Sequence, residues 1–245
     1  PMVEPLPSAT VVLARNSVQG PEILLVKRRS GDAFGEAYTF PGGVLDADES
    51  NSRSFCDGLS ADDADDLLGV GSGGLDYFNA VMRELFEETG VLLGSTDPVD
   101  GELRDQLCAG HETWPGILER LKLSVPCDAL HYFAHWITPE TLPKRWTTRF
   151  FLAAMPENQA VFPDGSEVTD FCWLTPKGAI GAANSGDRDI PFPTLQTVRW
   201  LDDMDSVSAM IEWARQRQAH GITPILPTIG AEGGQRRIFI PDVSD

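Results

Sequence analysis

No stretch of the 245 residues approaches the roughly 18 consecutive apolar positions that a membrane-spanning helix needs, so no span is expected. Basic residues are scarce: 19 Lys and Arg stand against 37 Asp and Glu, for a net charge of −18. That deficit argues against a nucleic-acid backbone or an anionic membrane surface as partner, because Lys and Arg are what neutralise phosphates. A small phosphate-bearing molecule stays open, given a cation and a few arginines to reverse the local field. Cysteines are few as well. Cys56, Cys108, Cys127 and Cys172 lie far apart with no CxxC pair, which favours free thiols in a reducing compartment over a zinc site or a disulfide framework. The N-terminus lacks a basic region followed by an apolar one, so no signal peptide is expected and a cytoplasmic location is.

What is present suits one decorated domain. Hydrophobic residues make up 42% of the chain and charged residues 23%, enough to bury a core and too balanced for bulk disorder. Residues 10–14 and 23–27 are short β-rich runs between Asn, Gly and Pro, and read as strands; so do the runs 130–137, 147–153 and 170–174. Residues 50–75 change character: rich in Asp, Ser and Gly, with Asp62, Asp63, Asp65 and Asp66 close together, they read as a mobile surface excursion with one short helix, its acidic face solvated. A helix is expected from about Asp76 to Thr89 with Gly90 as its C-terminal cap. Residues 101–123 read as helical with a break near Trp114-Pro115-Gly116. Thr175-Pro176 opens a short helix, a long amphipathic one covers part of Thr194–Gln218, and Arg237–Ile240 is strand-like. Mixed strands and helices of this kind point to an α/β sandwich rather than a regularly alternating parallel sheet.

The helix around residue 84 carries the chemistry. At about 100° per residue, Glu84, Glu87 and Glu88 share an arc of roughly 100°, beside an apolar face built from Phe78, Val81, Met82, Leu85 and Phe86. Three carboxylates this close raise one another's pKa unless a cation sits among them. Oxygen ligands without His or Cys suit Mg²⁺ or Mn²⁺ rather than zinc. Spacing alone leaves a second reading open, a solvated face on which Arg83 forms an ordinary helix pair with Glu87.

The wider pattern adds a resemblance. Gly43, five residues, Glu49, and later Arg83-Glu84-Leu85-Phe86-Glu87-Glu88-Thr89-Gly90-Val91 resemble the Nudix box, with Phe40-Pro41-Gly42 leading in. The departure is length: 33 residues (50–82) separate Glu49 from Arg83, against seven in the family's pattern. The inserted box, Ala37–Asp46, His135–Pro139, Thr148–Phe151 and Glu167-Val168 leading to Trp173–Pro176 resemble the long-insert subgroup related to peroxisomal coenzyme A diphosphatases. Members of that group often carry an Arg in the loop after the first Arg-Ser, where this chain has Phe34.

The resemblance implies a Nudix-type α/β/α sandwich with a mixed sheet over residues 9–200, an insertion inside the box, and an extra C-terminal helix and tail (201–245) on the same domain. It implies metal-dependent hydrolysis of a diphosphate in a nucleoside diphosphate derivative, coenzyme A or acyl-CoA first. ADP-ribose or dinucleotide hydrolysis, or a non-catalytic ligand sensor, are the alternatives; a sensor commonly loses a box carboxylate, and here all three are present. Glu87, Glu88 and the Gly43 carbonyl are implied metal ligands. Glu84 is a further ligand or the base, Arg83 orients the carboxylates, and Gly42, Glu49 and Gly90 shape the box. Glu167 is a candidate to complete the metal shell. Arg149, then Arg28 and Arg29, are candidate phosphate contacts. His131 and His135 share one strand face and fit a core or surface role. The aromatic runs Tyr132-Phe133, Trp136 and Trp146–Phe151 are either core or the lining of an apolar channel, with Arg145 as a second phosphate candidate. Oligomeric state is not readable, and a homodimer is left open.

Overall fold

Alternation of apolar side chains builds the central strands. In β1 (Leu6–Ser17), Val11 and Leu13 face one way and Val12 and Ala14 the other, all fully buried. A strand buried on both faces needs cover on both sides, and the fold supplies it. The computed structural model describes residues 3–29, 36–232 and 235–240; Phe34 lies outside these residues.

β1 forms a hairpin with β2 (Gly20–Arg28), followed by the short strands β3 (Tyr38–Thr39) and β4 (Gly42–Val44). A 3-10 segment, Ala47–Phe55, leads through β5 (Cys56–Asp57) to helices α1 (Ala61–Leu68) and α2 (Gly74–Thr89). Next come α3 (Gly101–Cys108), α4 (Trp114–Leu121), β6 (Val125–Pro126), β7 (His131–Ile137), β8 (Trp146–Ala154) and β9 (Val168–Leu174). The chain closes with α5 (Pro176–Ser185), α6 (Phe192–Trp200), α7 (Val207–His220) and the strands β10 (Thr228–Glu232) and β11 (Gln235–Phe239).

The main sheet runs β3-β2-β1-β8-β7, with β4 on β1 and β9 on β2. The β1–β8 pair is parallel and the rest antiparallel. One core packs α1, α2 and α4 on Val11, Leu13, Leu24, Val26 and Phe151. The other packs α5, α6 and α7 on Val12, Ile23, Leu25, Phe150 and Leu152. The molecule is therefore an α/β/α sandwich with a mixed sheet. Among the described residues no helix is long and apolar enough to cross a membrane.

One detail differs from the sequence reading. The region 194–218 holds two helices, because the chain breaks after Trp200 and Ser206 starts α7 afresh, its hydroxyl accepting from Ala209 N. The strand-like run read at 237–240 falls on β11, which pairs with β10 in a separate hairpin.

The insertion is anchored, not loose. Ala64 and Leu68, four apart on α1, are buried against α2. Asp65 Oδ1 accepts from Gly74 N, and Arg53 pairs with Asp76 through two bonds of 2.6 and 2.7 Å. Arg149 of β8 donates from Nε and Nη2 to the carbonyl of Leu68 at 3.1 and 2.8 Å. That carbonyl ends α1, where unpaired carbonyls and the helix dipole attract a cation.

The aromatic runs are core. Tyr132, Phe133 and Phe151 have at most 2% exposure, with Phe151 stacked edge-on against Phe78 at 5.0 Å. Arg145 is buried and donates to the carbonyls of Val3 and Thr138. His131 and His135 are buried in β7; burial pushes His135 down to about 4, and its Nε2 lies 2.6 Å from Thr147 Oγ1.

Candidate active site

The Gly42-Gly43 pair lies between β1 and α2, too tight for any side chain. β4 pairs with β1 so that Gly42 faces Thr10 and Gly43 faces Ala9. A Cβ at Gly42, where φ is +149°, would stand 2.3 Å from Ala9 O; one at Gly43 would stand 2.3 Å from Glu84 Oε1. Real atoms cannot approach so closely, so glycine is required twice for two different reasons. The result is the bare backbone of Gly43 lying directly against the Glu84 carboxylate.

Arg83 organises the other side of the helix. Its Nε and Nη2 both reach Glu49 Oε1 at 2.9 Å; Nη1 reaches Glu87 Oε2 at 2.7 Å and Glu84 Oε1 at 3.0 Å. Nη2 also donates to Val44 O at 3.3 Å and stands 3.6 Å from Asp46 Oδ2. One guanidinium thus ties the start of the box (Asp46, Glu49) to its helix, across the point where the insertion leaves. Burial works against the Arg83 charge, but the surrounding carboxylates outweigh it and hold it protonated.

Glu88 is served by a second arginine. Its Oε2 accepts from Gly42 N at 3.0 Å, and Arg28 Nη2 stands 3.0 Å from Oε1 while donating to Gly42 O. Glu88 Oε1 is buried with that ion-pair neighbour but without a hydrogen bond. Burial pushes Glu88 up to about 8, Arg28 opposing and Glu84 adding to the rise. Burial likewise raises Glu84, against Arg83 and Arg28. It pushes Glu87 to about 7, with Arg83 opposing, and Glu49 to about 7 in the same way. Three buried carboxylates and the half-buried Glu87 share two arginines, so the cluster is short of positive charge.

The other candidates divide. Glu167 is exposed on the turn before β9, yet its charge is felt at both Glu84 and Glu88, which places it at the rim of the cluster. Arg29 is exposed beside the same turn, its Nη1 3.4 Å from Ser166 O and its N donating to Glu167 O. Gly90 ends α2 with φ +74°, donating to Phe86 O. Arg149 is the correction: it is buried under Tyr77, 4.4 Å from the ring centroid, with its donors on Leu68 O. Tyr77 and Glu88 are eleven residues apart on one helix, about 16 Å at 1.5 Å per residue. Arg149 therefore serves the insertion rather than a phosphate at the carboxylates.

Sequence reasoning missed Asp46 and Asp164. Asp164 accepts from the backbone N–H of Ser166, Glu167 and Val168 at 2.7–2.9 Å and so fixes the turn that carries Glu167. Burial disfavours its charge, but the Ser166 hydroxyl and those backbone donors prevail, and its pKa lies below the ordinary carboxylate range. The Asp-Gly-Ser signature of an Asx turn was visible at 164–166.

Among the described residues, no three His, Cys, Asp or Glu side chains stand close enough to hold a metal ion as they are placed. Arg83 and Arg28 engage Glu84, Glu87 and Glu88 in this arrangement. The donor set nevertheless fits a hard divalent cation: only oxygens, a buried Glu88 oxygen lacking a hydrogen bond, and a backbone at Gly43 stripped of side chain.

No family model matches the chain. It is 28% identical over 258 residues to the human acyl-coenzyme A diphosphatase NUDT19, covering 86% of this chain and 68% of that protein. It is 26% identical to a nudix hydrolase of Caenorhabditis elegans, covering 80% of this chain and 60% of the relative. In three dimensions it superposes on a NUDIX hydrolase from Alicyclobacillus acidocaldarius with a TM-score of 0.74, at 22% identity, over 86% of this chain and 97% of the other. Every residue of the Nudix box is thus in place on a fold that the chain shares with a Nudix hydrolase.

Proposed function

We propose that the chain hydrolyses the diphosphate of coenzyme A or acyl-CoA, releasing 4′-phosphopantetheine and 3′,5′-ADP. The observation that carries this substrate is the likeness to the human acyl-CoA diphosphatase, over 86% of this chain. The coarser activity, hydrolysis of a nucleoside diphosphate derivative, rests on the carboxylate cluster at the end of α2.

In this reading Glu84, Glu87, Glu88, the Gly43 carbonyl and Glu167 hold Mg²⁺ or Mn²⁺. The bound cation supplies positive charge at the phosphate oxygens and lowers the pKa of a water bound to it. Glu84, pressed against Gly43, is the carboxylate placed to accept a proton from the attacking water or to bind the cation itself. Arg83 is a positioning residue: it fixes Glu49, Glu84 and Glu87 relative to one another. Arg28 holds Glu88 and the Gly42 carbonyl in register, and Arg29, exposed at the rim, is the freer of the two to meet a phosphate.

The test is a panel of coenzyme A, acyl-CoA, ADP-ribose, NADH and diadenosine polyphosphates with Mg²⁺ or Mn²⁺, read by product mass. Coenzyme A species are expected to show the highest kcat/KM. Turnover of ADP-ribose or a dinucleotide with coenzyme A untouched would keep the hydrolase and remove this substrate. Tight binding without turnover of any of them would favour a sensor.

A further inference from the structure

Two cysteines far apart in sequence meet beneath the insertion. β5 and β6 form a short parallel ladder with Cys56 opposite Val125 and Asp57 opposite Pro126. Side chains alternate across a strand, so Cys127, two on from Val125, returns to the face that Cys56 shares. The chain there bends into a 3-10 step, Cys127–Ala129, and stays against the insertion: a Cβ on Gly58 would stand 3.2 Å from Asp128 Cβ. Each thiol is the largest single influence on the other's titration, which places the two sulfurs side by side. Asn79 of α2 donates from Nδ2 to Cys56 Sγ at 3.1 Å, and Trp114 Nε1, donating to Asn79 Oδ1 at 3.2 Å, sets which way that amide faces.

Cys56 sulfur thus meets a thiol on one side and an amide donor on the other. Cys127 and the Asn79 amide hold its pKa below the ordinary thiol value against the effect of burial, while Cys127 is pushed up. Access is asymmetric. Cys127 is buried, whereas Cys56 is half-buried in the wall of a cavity of about 510 Å³ shared with Phe55, Asp57, Leu118 and Lys122. None of the box carboxylates lines this cavity. An accessible, hydrogen-bonded sulfur backed by a second thiol in contact is the arrangement in which oxidation ends in a disulfide.

We propose that Cys56 and Cys127 are a peroxide-oxidised thiol pair that closes to a disulfide, with Cys56 attacking first. The Cys56 thiolate attacks the terminal oxygen of a hydroperoxide; the O–O bond breaks, and the leaving alkoxide or hydroxide takes the thiol proton, leaving Cys56 as a sulfenic acid. Cys127 sulfur then attacks Cys56 sulfur; the S–O bond breaks and hydroxide leaves with the Cys127 proton as water. Two thiols lose two electrons, the hydroperoxide gains two, and the products are a disulfide, water and an alcohol (a second water from hydrogen peroxide). The cross-link ties the insertion to the segment entering β7.

The full chain is treated with stoichiometric hydrogen peroxide, quenched with an alkylating reagent and digested. The expected product is one cross-linked peptide pair containing Cys56 and Cys127, lighter by two hydrogen atoms and released by reductant. Cys108 serves as the internal comparison: it is exposed, but burial of its sulfur and the nearby Glu87 push the thiol up to about 11, so it stays alkylated at that dose. In Cys127→Ser the sulfenic acid on Cys56 accumulates and is trapped by dimedone; in Cys56→Ser, Cys127 stays reduced. Alkylation of both Cys56 and Cys127 after oxidation of Cys108, or Cys56 pairing with another cysteine, overturns the assignment.

Discussion

Arg149→Ala separates two roles for a buried cation. If Arg149 anchors the insertion, truncation removes two charge-assisted bonds to Leu68 O and the contact over Tyr77. Hydrogen bonds to charged groups are worth about 1.5–3 kcal/mol, and a desolvated cation–π contact about 1–2 kcal/mol. Relief of burying a charge with no carboxylate partner among the described residues offsets part of that sum. A net loss of about 3 kcal/mol is expected, equivalent to a fall in Tm on the order of 10 °C for a chain of this size. Arg149→Met keeps most of the volume and drops the charge, so its loss should be smaller, about 1 kcal/mol, set by the carbonyl left without its donor. Both variants are compared by urea unfolding, and kcat/KM is measured where each remains folded. Activity per folded molecule should stay within about threefold, since no contact to the reacting phosphates is lost. Unchanged stability with kcat/KM down by one to two orders of magnitude would restore the phosphate contact and sink the anchoring role.

Gly43→Ala pushes a methyl into Glu84, and displacing a catalytic group by about 1 Å can cost on the order of a hundredfold in rate; wild-type kcat in a folded Gly43→Ala would separate Glu84 from the chemistry. Glu87→Gln and Glu88→Gln should each lose about three orders of magnitude in turnover at saturating Mg²⁺, with the metal-free fold as stable or more so, because a costly buried charge is gone. Retained activity in Glu88→Gln removes its assignment as ligand. The pH dependence of the metal-free protein has a definite sign. Glu49 and Glu87 titrate near 7 when folded and near 4.5 when unfolded, so the folded state binds more protons between those values, and stability is greatest at the acid end and falls as pH rises from 4.5 to 7. Thermal melts should show a lower Tm at pH 8 than at pH 5.5 without divalent cations, and Mg²⁺ should recover the loss at pH 8; a Tm that rises with pH in the absence of metal contradicts the burial of these carboxylates.

Much of the molecule was legible in the order of its residues. The strands at 10–14, 23–27, 130–137, 147–153 and 170–174 and the helix ending at Gly90 follow from local periodicity and caps, which act within one or two turns. The box itself is a contiguous string on one helix, so its three carboxylates could be located from spacing and resemblance. Contacts made across the sheet were not legible. That Arg149 ends α1, that Arg28 joins Glu88 and Gly42, and that Asp46 and Asp164 frame the site depend on which strands become neighbours. The insertion illustrates the reason: Asp- and Gly-rich composition predicted a mobile surface excursion with one short helix, because composition reports only what each residue tolerates. Its anchoring comes from Ala64 and Leu68 finding α2, Arg53 finding Asp76, and a cation arriving from β8. Sequence set the chemistry available at each position; tertiary packing decided which arginine met which carboxylate, because buried charges take whatever partner the fold brings within reach.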